Sequence, residues 1–370
     1  MPTSILIVTG IFPPDSGGPS KFSMEFGSWA AKRDLEVFVR TYSDNKYALS
    51  RVGLLSVFST LRTQGLFIRY VKMIRGIGSH SSSRVAVLAV GAFLETYISS
   101  IFYRFKYSVK VPGDIVWERA RNNGATNLNI EDFQQQKISF KYQIFRKLYS
   151  SSLKRAQTVI VPSRGLYNLC LTWGVSEMKL KLIHNAVEYL DLGNASTNDL
   201  KFDFVTICRL APWKGVDEVI KYCAERDLKL AVAGDGPDRP RLESLAKKLS
   251  ADVTFMGDIS NESVKKLLSN SKIFVLNSYY EGLPHALVEA RAAGVLSVGR
   301  AGTGSEEVIN DDIDGYLVRS DRPLDVTLDL ALSSLENSQG FIQKAKDDAN
   351  SRFNKEMNYA EILKIVESVQ

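Results

Sequence analysis

At 370 residues, with 45% hydrophobic and 24% charged side chains, the chain has the composition of an ordinary globular protein, which excludes the disordered and fibrous classes. That length favours two domains of similar size over a single core. The net charge of +6 hides an asymmetry: residues 1–190 hold 25 Lys+Arg against 12 Asp+Glu (+13), and the remainder holds 22 against 29 (−7). A basic half suits anionic lipid, an acidic substrate or nucleic acid, and no nucleic-acid motif accompanies it.

In chain order, the apolar run 5–8 is too short for a signal or a membrane span and reads as a buried first strand. The loop GIFPPDSGGPSK and the periodic stretch 22–31 complete a strand, loop and helix. Further strand-like runs at 35–40, 85–90, 108–111 and 158–161 alternate with helical sequence, which argues for a parallel sheet with covering helices. Between 49 and 78, apolar residues interleave with Arg62, Arg69, Lys72 and Arg75, and no acid appears. This stretch reads either as an amphipathic surface for anionic membrane or as a core helix with a solvated basic face. The polar segment 188–201 reads as a linker, and runs at 204–208, 228–233, 253–256, 273–276 and 295–298 begin a second α/β domain. The expected domains are 1–190 and 191–353. Cys170, Cys208 and Cys223 have neither metal-ligand spacing nor the even count of a disulfide framework, so a reducing cytoplasm is the expected setting.

The chemistry-bearing signal is YEGLPHALVEARAAG, following the strand-like IFVLNS. Its spacing predicts Glu281 in a strand-to-helix loop and Glu289 within the helix. Between them the N–H groups of His285, Ala286 and Leu287 open a helix N-terminus suited to phosphate. The alternative is that Glu281 is a helix cap and Glu289 a solvated helix residue. Upstream, in CRLAPWKGVDEVI, Arg209 and Lys214 stand between a strand and a helix, where two cations can hold a diphosphate. DDID at 311–314 runs into Gly315 and reads as a turn, so no metal site is expected.

Together with AVAGDGPDRPRLE, FMGDIS, PPDSGGPSKF, KVPGDIVWERA, VPSRGLYNL and IHNAVE, these residues resemble the family 4 retaining glycosyltransferases, and the likeness spans nearly the whole chain. The resemblance implies the GT-B fold, two Rossmann-like doubly wound α/β domains facing each other across a cleft. It also implies that segment 354–370 is a helix returning to the first domain. Under it Arg209 and Lys214 neutralise the donor diphosphate, Glu289 holds the ribose and Glu281 contacts the transferred sugar. Gly234 belongs to the donor loop, and Gly17 and Gly18 form the N-terminal glycine loop near the diphosphate. Where many members place a histidine, KVPGD offers Asp114, which would orient a substrate hydroxyl or else simply cap the helix after it. Trp117, Glu118 and Arg119 would line an acceptor pocket.

The implied function is metal-independent transfer of a sugar from a nucleoside diphosphate donor, needing no cofactor, with no protein nucleophile. The basic half favours a lipid-linked or glycan acceptor in cell-envelope or polysaccharide biosynthesis, at the inner face of the cytoplasmic membrane. A glycan phosphorylase shares the architecture but is much longer. A dinucleotide-binding oxidoreductase or nucleotide sensor is the reading from another class, and FPPDSGGPS does not fit its G-x-G-x-x-G fingerprint.

Overall fold

The apolar runs of the N-terminal half become an eight-stranded sheet in the computed structural model, which describes residues 4–15, 17–44, 49–82, 84–126, 128, 130–136, 138–187 and 200–369. The chain divides into two compact units, residues 1–183 with 356–370, and residues 184–355. Residues 188–199, most of the segment read as a linker, lie outside the described residues.

The first unit contains β1 (Ser4–Thr9), β2 (Glu36–Ser43), β3 (Leu49–Val52), β4 (Leu55–Leu61), β5 (Val85–Val90), β6 (Ser108–Lys110), β7 (Thr158–Val161) and β8 (Leu180–Leu182). Their order is β3-β4-β2-β1-β5-β6-β7-β8, and every pairing is parallel except β3 on β4. The helices are α1 (Gly18–Ala31), α2 (Leu66–His80), α3 (Phe93–Tyr103), α4 (Ile115–Asn122), α5 (Ile130–Gln135), α6 (Phe140–Arg155) and α7 (Arg164–Thr172).

The stretch 49–78 is not one helix, which corrects the core-helix reading given above. Residues 55–58 alternate, with Leu55 and Val57 buried, and 55–61 pair with β2 from Val37↔Leu55 to Ser43↔Leu61. Gly53, at φ 60°, turns the chain between β3 and β4, and only α2 remains helical. Arg62 is not part of a solvated basic face, because it is ion-paired with Asp15 and Asp44.

The second unit is a six-stranded, wholly parallel sheet in the order β11-β10-β9-β12-β13-β14. It comprises β9 (Phe202–Ile207), β10 (Leu230–Ala233), β11 (Val253–Gly257), β12 (Ser271–Val275), β13 (Leu296–Arg300) and β14 (Tyr316–Val318). Its helices are α8 (Val216–Ala224), α9 (Arg239–Lys248), α10 (Asn261–Leu268), α11 (His285–Ala292), α12 (Leu324–Ser334) and α13 (Gln339–Arg352). Phe204, Val232, Ile273 and Val298 pack into one core, and Val205, Ala231 and Phe274 into another. Both faces of the central strands are therefore covered, which is why β10 and β12 read as apolar runs, whereas edge strand β11 leaves Thr254 and Met256 exposed. A last helix, α14 (Lys355–Glu367), packs in the first unit, where Tyr359 stands edge-on to Phe22, Phe26 and Trp29.

Candidate donor-binding site

In the second unit the chain steps from β9 through β10 to β11 on one side, and through β12, β13 and β14 on the other. The order reverses between β9 and β12, and in open parallel sheets ligands bind outside the carboxyl ends of the strands at such a reversal. The loops leaving β9 and β12 carry Arg209 and Lys214, and Glu281, respectively.

Across that reversal Lys214 Nζ donates to Glu281 Oε1 at 2.5 Å, with both side chains 14% exposed. Two further bonds lock the loops together. Tyr279 N–H donates to the Trp213 carbonyl at 2.8 Å, and Asn277 Nδ2 to the Gly215 carbonyl at 3.1 Å. Gly215 has φ 61°, and a Cβ there would lie 2.6 Å from the Asn277 carbonyl oxygen, so the residue after Lys214 tolerates only glycine. Asn277 is in turn held by Arg300 Nε at 3.0 Å, and Glu218 accepts from both Asn277 and Arg300. Arg209 is exposed and makes no hydrogen bond or ion pair among the described residues.

The loop after β10 closes on the other side of the β9 loop. A Cβ at Gly234 would lie 2.0 Å from the Cys208 carbonyl oxygen, and one at Gly236 would lie 2.2 Å from that of Leu210. This contact is backbone against backbone, and it fixes the strand end that carries Arg209.

Helix α11 begins at His285 after Pro284, without a side-chain cap, and Glu281 lies in the loop before it. Glu281 is thus a loop residue paired with Lys214, and the helix-cap alternative is not what the structure shows. The amides of His285, Ala286 and Leu287 form the first turn, and Glu289 follows one turn on, half-buried. Gly304, which the sequence reading passed over, buttresses this loop. Its N–H donates to the Glu281 carbonyl at 2.9 Å, and a Cβ there would lie 2.5 Å from the Gly282 carbonyl oxygen. The DDID turn is structural: Asp314 pairs with fully buried Arg291 at 2.8 Å, and Asp311 and Asp312 pair with Arg322.

The other expected residues lie in the first unit. Gly17 is the N-cap of α1 at φ 140°, a conformation that favours glycine, and Gly18 opens the helix. Asp114 is fully buried, and its Oδ1 accepts from Val116 N and Trp117 N while Oδ2 accepts from Gln134. That is the capping alternative, and both carboxylate oxygens are occupied. Trp117 is buried, with its indole on the Leu128 carbonyl. Glu118 is open to solvent yet set deep among protein atoms. That setting, with Asp114 adding to it, pushes its carboxyl up to about 7. Lys110, at the end of β6, is 3% exposed, its ammonium lies 4.9 Å from the Phe22 ring centre without a hydrogen-bond partner among the described residues, and burial pulls its pKa down to about 7.

Residues 194–348 match the family of glycosyl transferases group 1. That match spans 155 of the chain's 370 residues, all of them in the second unit. An uncharacterized glycosyltransferase of Methanocaldococcus jannaschii is 25% identical over 74% of this chain and 72% of its own length. A Campylobacter jejuni α-1,4-N-acetyl-D-galactosaminyltransferase, named for an undecaprenyl-diphosphate-linked glycan, is 32% identical over 35% of each chain. Among solved structures, Anabaena HepE in complex with UDP and glucose superposes with a TM-score of 0.75 at 17% identity, covering 99% of this chain and 100% of that one. Sucrose-phosphate synthase from Thermosynechococcus elongatus does so with 0.78 at 16%, covering 99% and 98%. At such identities these structures establish the fold, two Rossmann-like domains of the GT-B type. Between the two function classes weighed from sequence, the family match decides for the glycosyltransferase.

Proposed function

We propose that this glycosyltransferase is a family 4 enzyme that moves a sugar from a nucleoside diphosphate donor with retention of anomeric configuration and without a metal ion. The observation that carries the reading is the Lys214–Glu281 pair astride the sheet's reversal point, beside an unpaired Arg209. In this reading Arg209 and Lys214 hold the diphosphate, and the first-turn amides of α11 complete the phosphate cradle. Glu281 accepts a hydroxyl of the transferred sugar and Glu289 a ribose hydroxyl. Gly17, Gly18 and Gly234 keep backbone open to phosphate where a Cβ would intrude.

The C1–O bond to the diphosphate breaks as the acceptor oxygen bonds to C1 from the same face. The acceptor proton passes to the departing phosphate oxygen, so no protein nucleophile takes part. The protein contributes position and stabilisation of the charge that develops on the leaving group. Asp114 has no place in this chemistry, because its carboxylate is spent on the α4 cap.

The acceptor is a lipid-linked or glycan molecule of cell-envelope or polysaccharide biosynthesis, met on the inner face of the cytoplasmic membrane. Support comes from the undecaprenyl-linked substrate in the Campylobacter relative's name and from the basic first half of the chain. Among the described residues no helix is long and apolar enough to cross a membrane. Proton NMR of the product formed in EDTA tests the mechanism. Retained configuration with undiminished turnover is the expected result, and inversion or a strict Mg²⁺ requirement would overturn it.

A further inference from the structure

Three helices of the first unit lie side by side on one face of its sheet, α3 packing against α2 on one flank and α6 on the other. Their outer surface is unusual for a globular protein. Helix α6 exposes Phe140, Ile144 and Leu148 at 76%, 45% and 39%. These positions are i, i+4 and i+8, a single line along one side of a helix. Its opposite side carries the buried Tyr142, Tyr149 and Leu153, so the apolar line is additional to the core-facing stripe. The first turn of α2 exposes Leu66, Phe67 and Ile68, and the last turn of α3 exposes Ile101, Phe102 and Tyr103.

The charges interleaved with these side chains have one sign. Lys72 and Arg75 on α2, Arg104 and Lys106 after α3, and Lys141 and Lys147 on α6 are all exposed. No acidic residue occurs between Asp44 and Glu95 or between Asp132 and Glu177. The one acid on the three helices, Glu95, is buried and accepts from the Tyr42 hydroxyl at 2.7 Å.

We propose that the α2–α3–α6 face is a docking surface for an anionic lipid bilayer, with the exposed aromatic and aliphatic side chains entering the headgroup region and the lysines and arginines meeting lipid phosphates. The inference rests on the lipid-linked acceptor proposed above and assigns it a surface, most of which lies outside the 49–78 segment. A bilayer fits better than a protein partner because the apolar side chains are spread over three helices and separated by long cationic ones. Such cationic side chains reach lipid phosphates while their stems lie on hydrocarbon. Attraction to an anionic leaflet grows with each Lys or Arg and fades beyond a Debye length.

The test is sedimentation of the full-length protein with vesicles of phosphatidylcholine alone or with about three-tenths phosphatidylglycerol, in about 0.1 M and about 1 M salt. Two variants accompany it: Phe140→Ser with Ile144→Ser and Leu148→Ser, and Lys141→Glu with Lys147→Glu. All five side chains are solvent-facing, and circular dichroism checks that the fold persists. The wild type should bind the anionic vesicles at the lower salt and release at the higher, and each variant should bind at least about tenfold more weakly. A wild type that ignores anionic vesicles, or variants that bind as it does, would overturn the proposal. So would a wild-type dimer that the variants convert to monomer with no change in vesicle binding, since the face would then join two copies. Nucleoside diphosphate binding, measured on the same samples, should be unchanged in both variants. Its absence from the wild type would remove the donor assignment and leave the vesicle result standing.

Discussion

Replacing Lys214 with alanine removes the cation that bridges the two donor loops. Two unit charges about 4 Å apart attract by about 4 kcal/mol at an effective dielectric constant of ~20. Desolvation of the pair cancels much of that, and Glu281, at 14% exposed, regains some water in the variant. The net loss of stability is on the order of 1–2 kcal/mol, or about 2–8 °C in Tm for a unit of this size. The loss in turnover should be larger. The ammonium would face the leaving diphosphate, and deleting one preorganised group at a developing anion costs roughly 3–4 kcal/mol, a factor of about 10²–10³ in kcat. The assay is release of nucleoside diphosphate, with circular dichroism confirming the fold. Adding Glu281→Gln should restore much of the lost Tm without restoring kcat, because an uncompensated carboxylate explains the first loss and a missing cation the second. Full turnover in Lys214→Ala would refute the assignment of the donor site.

Gly234→Ala should destabilise the second unit by about 2–4 kcal/mol and abolish donor binding, since its Cβ would lie 2.0 Å from the Cys208 carbonyl oxygen, a backbone atom; chemical denaturation and calorimetry check both. Lys110→Met should raise stability near pH 7. The folded state sheds this proton at about 7 while the unfolded state keeps it to about 10.5, so wild-type stability climbs with pH across that window and the variant's does not. Arg291→Ala should cost about 3–5 kcal/mol by stranding Asp314 in the core. Burial alone would push the Asp314 carboxyl up, but Arg291 and Asn310 hold it below its ordinary value. Its contribution to stability is therefore present above the unfolded carboxyl pKa of about 4 and lost as pH falls below it. A pH series of denaturation midpoints should show that acid loss in the wild type and reduce it in Arg291→Ala.

The parts of the fold that sequence revealed are those whose pattern is local. Strands at 5–8 and 86–90 are sealed on both faces and so appear as unbroken apolar runs. Strands β8 and β14 have three residues each and show too little period to register, although the equally short β6 lies within the run read at 108–111, and β4 was hidden because an apolar, basic neighbourhood was read at the helical period. In the site, the residue types and the loop placement of Arg209, Lys214 and Glu281 could be read from strand and helix punctuation. The contact between Lys214 and Glu281, 67 residues apart, could not, because it depends on which strands are neighbours. The same holds for Gly304 and for the Asn277–Arg300–Glu218 network, which act only across the edge of the sheet. A glycine soon after the 295–298 run was the one available hint of the former. Asp114 shows the converse: a local N-cap accounts for a residue to which the resemblance had lent a chemical role.

The measurement that bears most directly on the donor site is a thermal-shift screen against UDP, GDP, ADP and NAD, each in EDTA and in Mg²⁺, because a ligand that binds only the folded state raises its melting temperature. Stabilisation by one nucleoside diphosphate in EDTA, lost in Lys214→Ala, is the predicted result. Stabilisation that appears only with Mg²⁺, or that survives intact in Lys214→Ala, would contradict it.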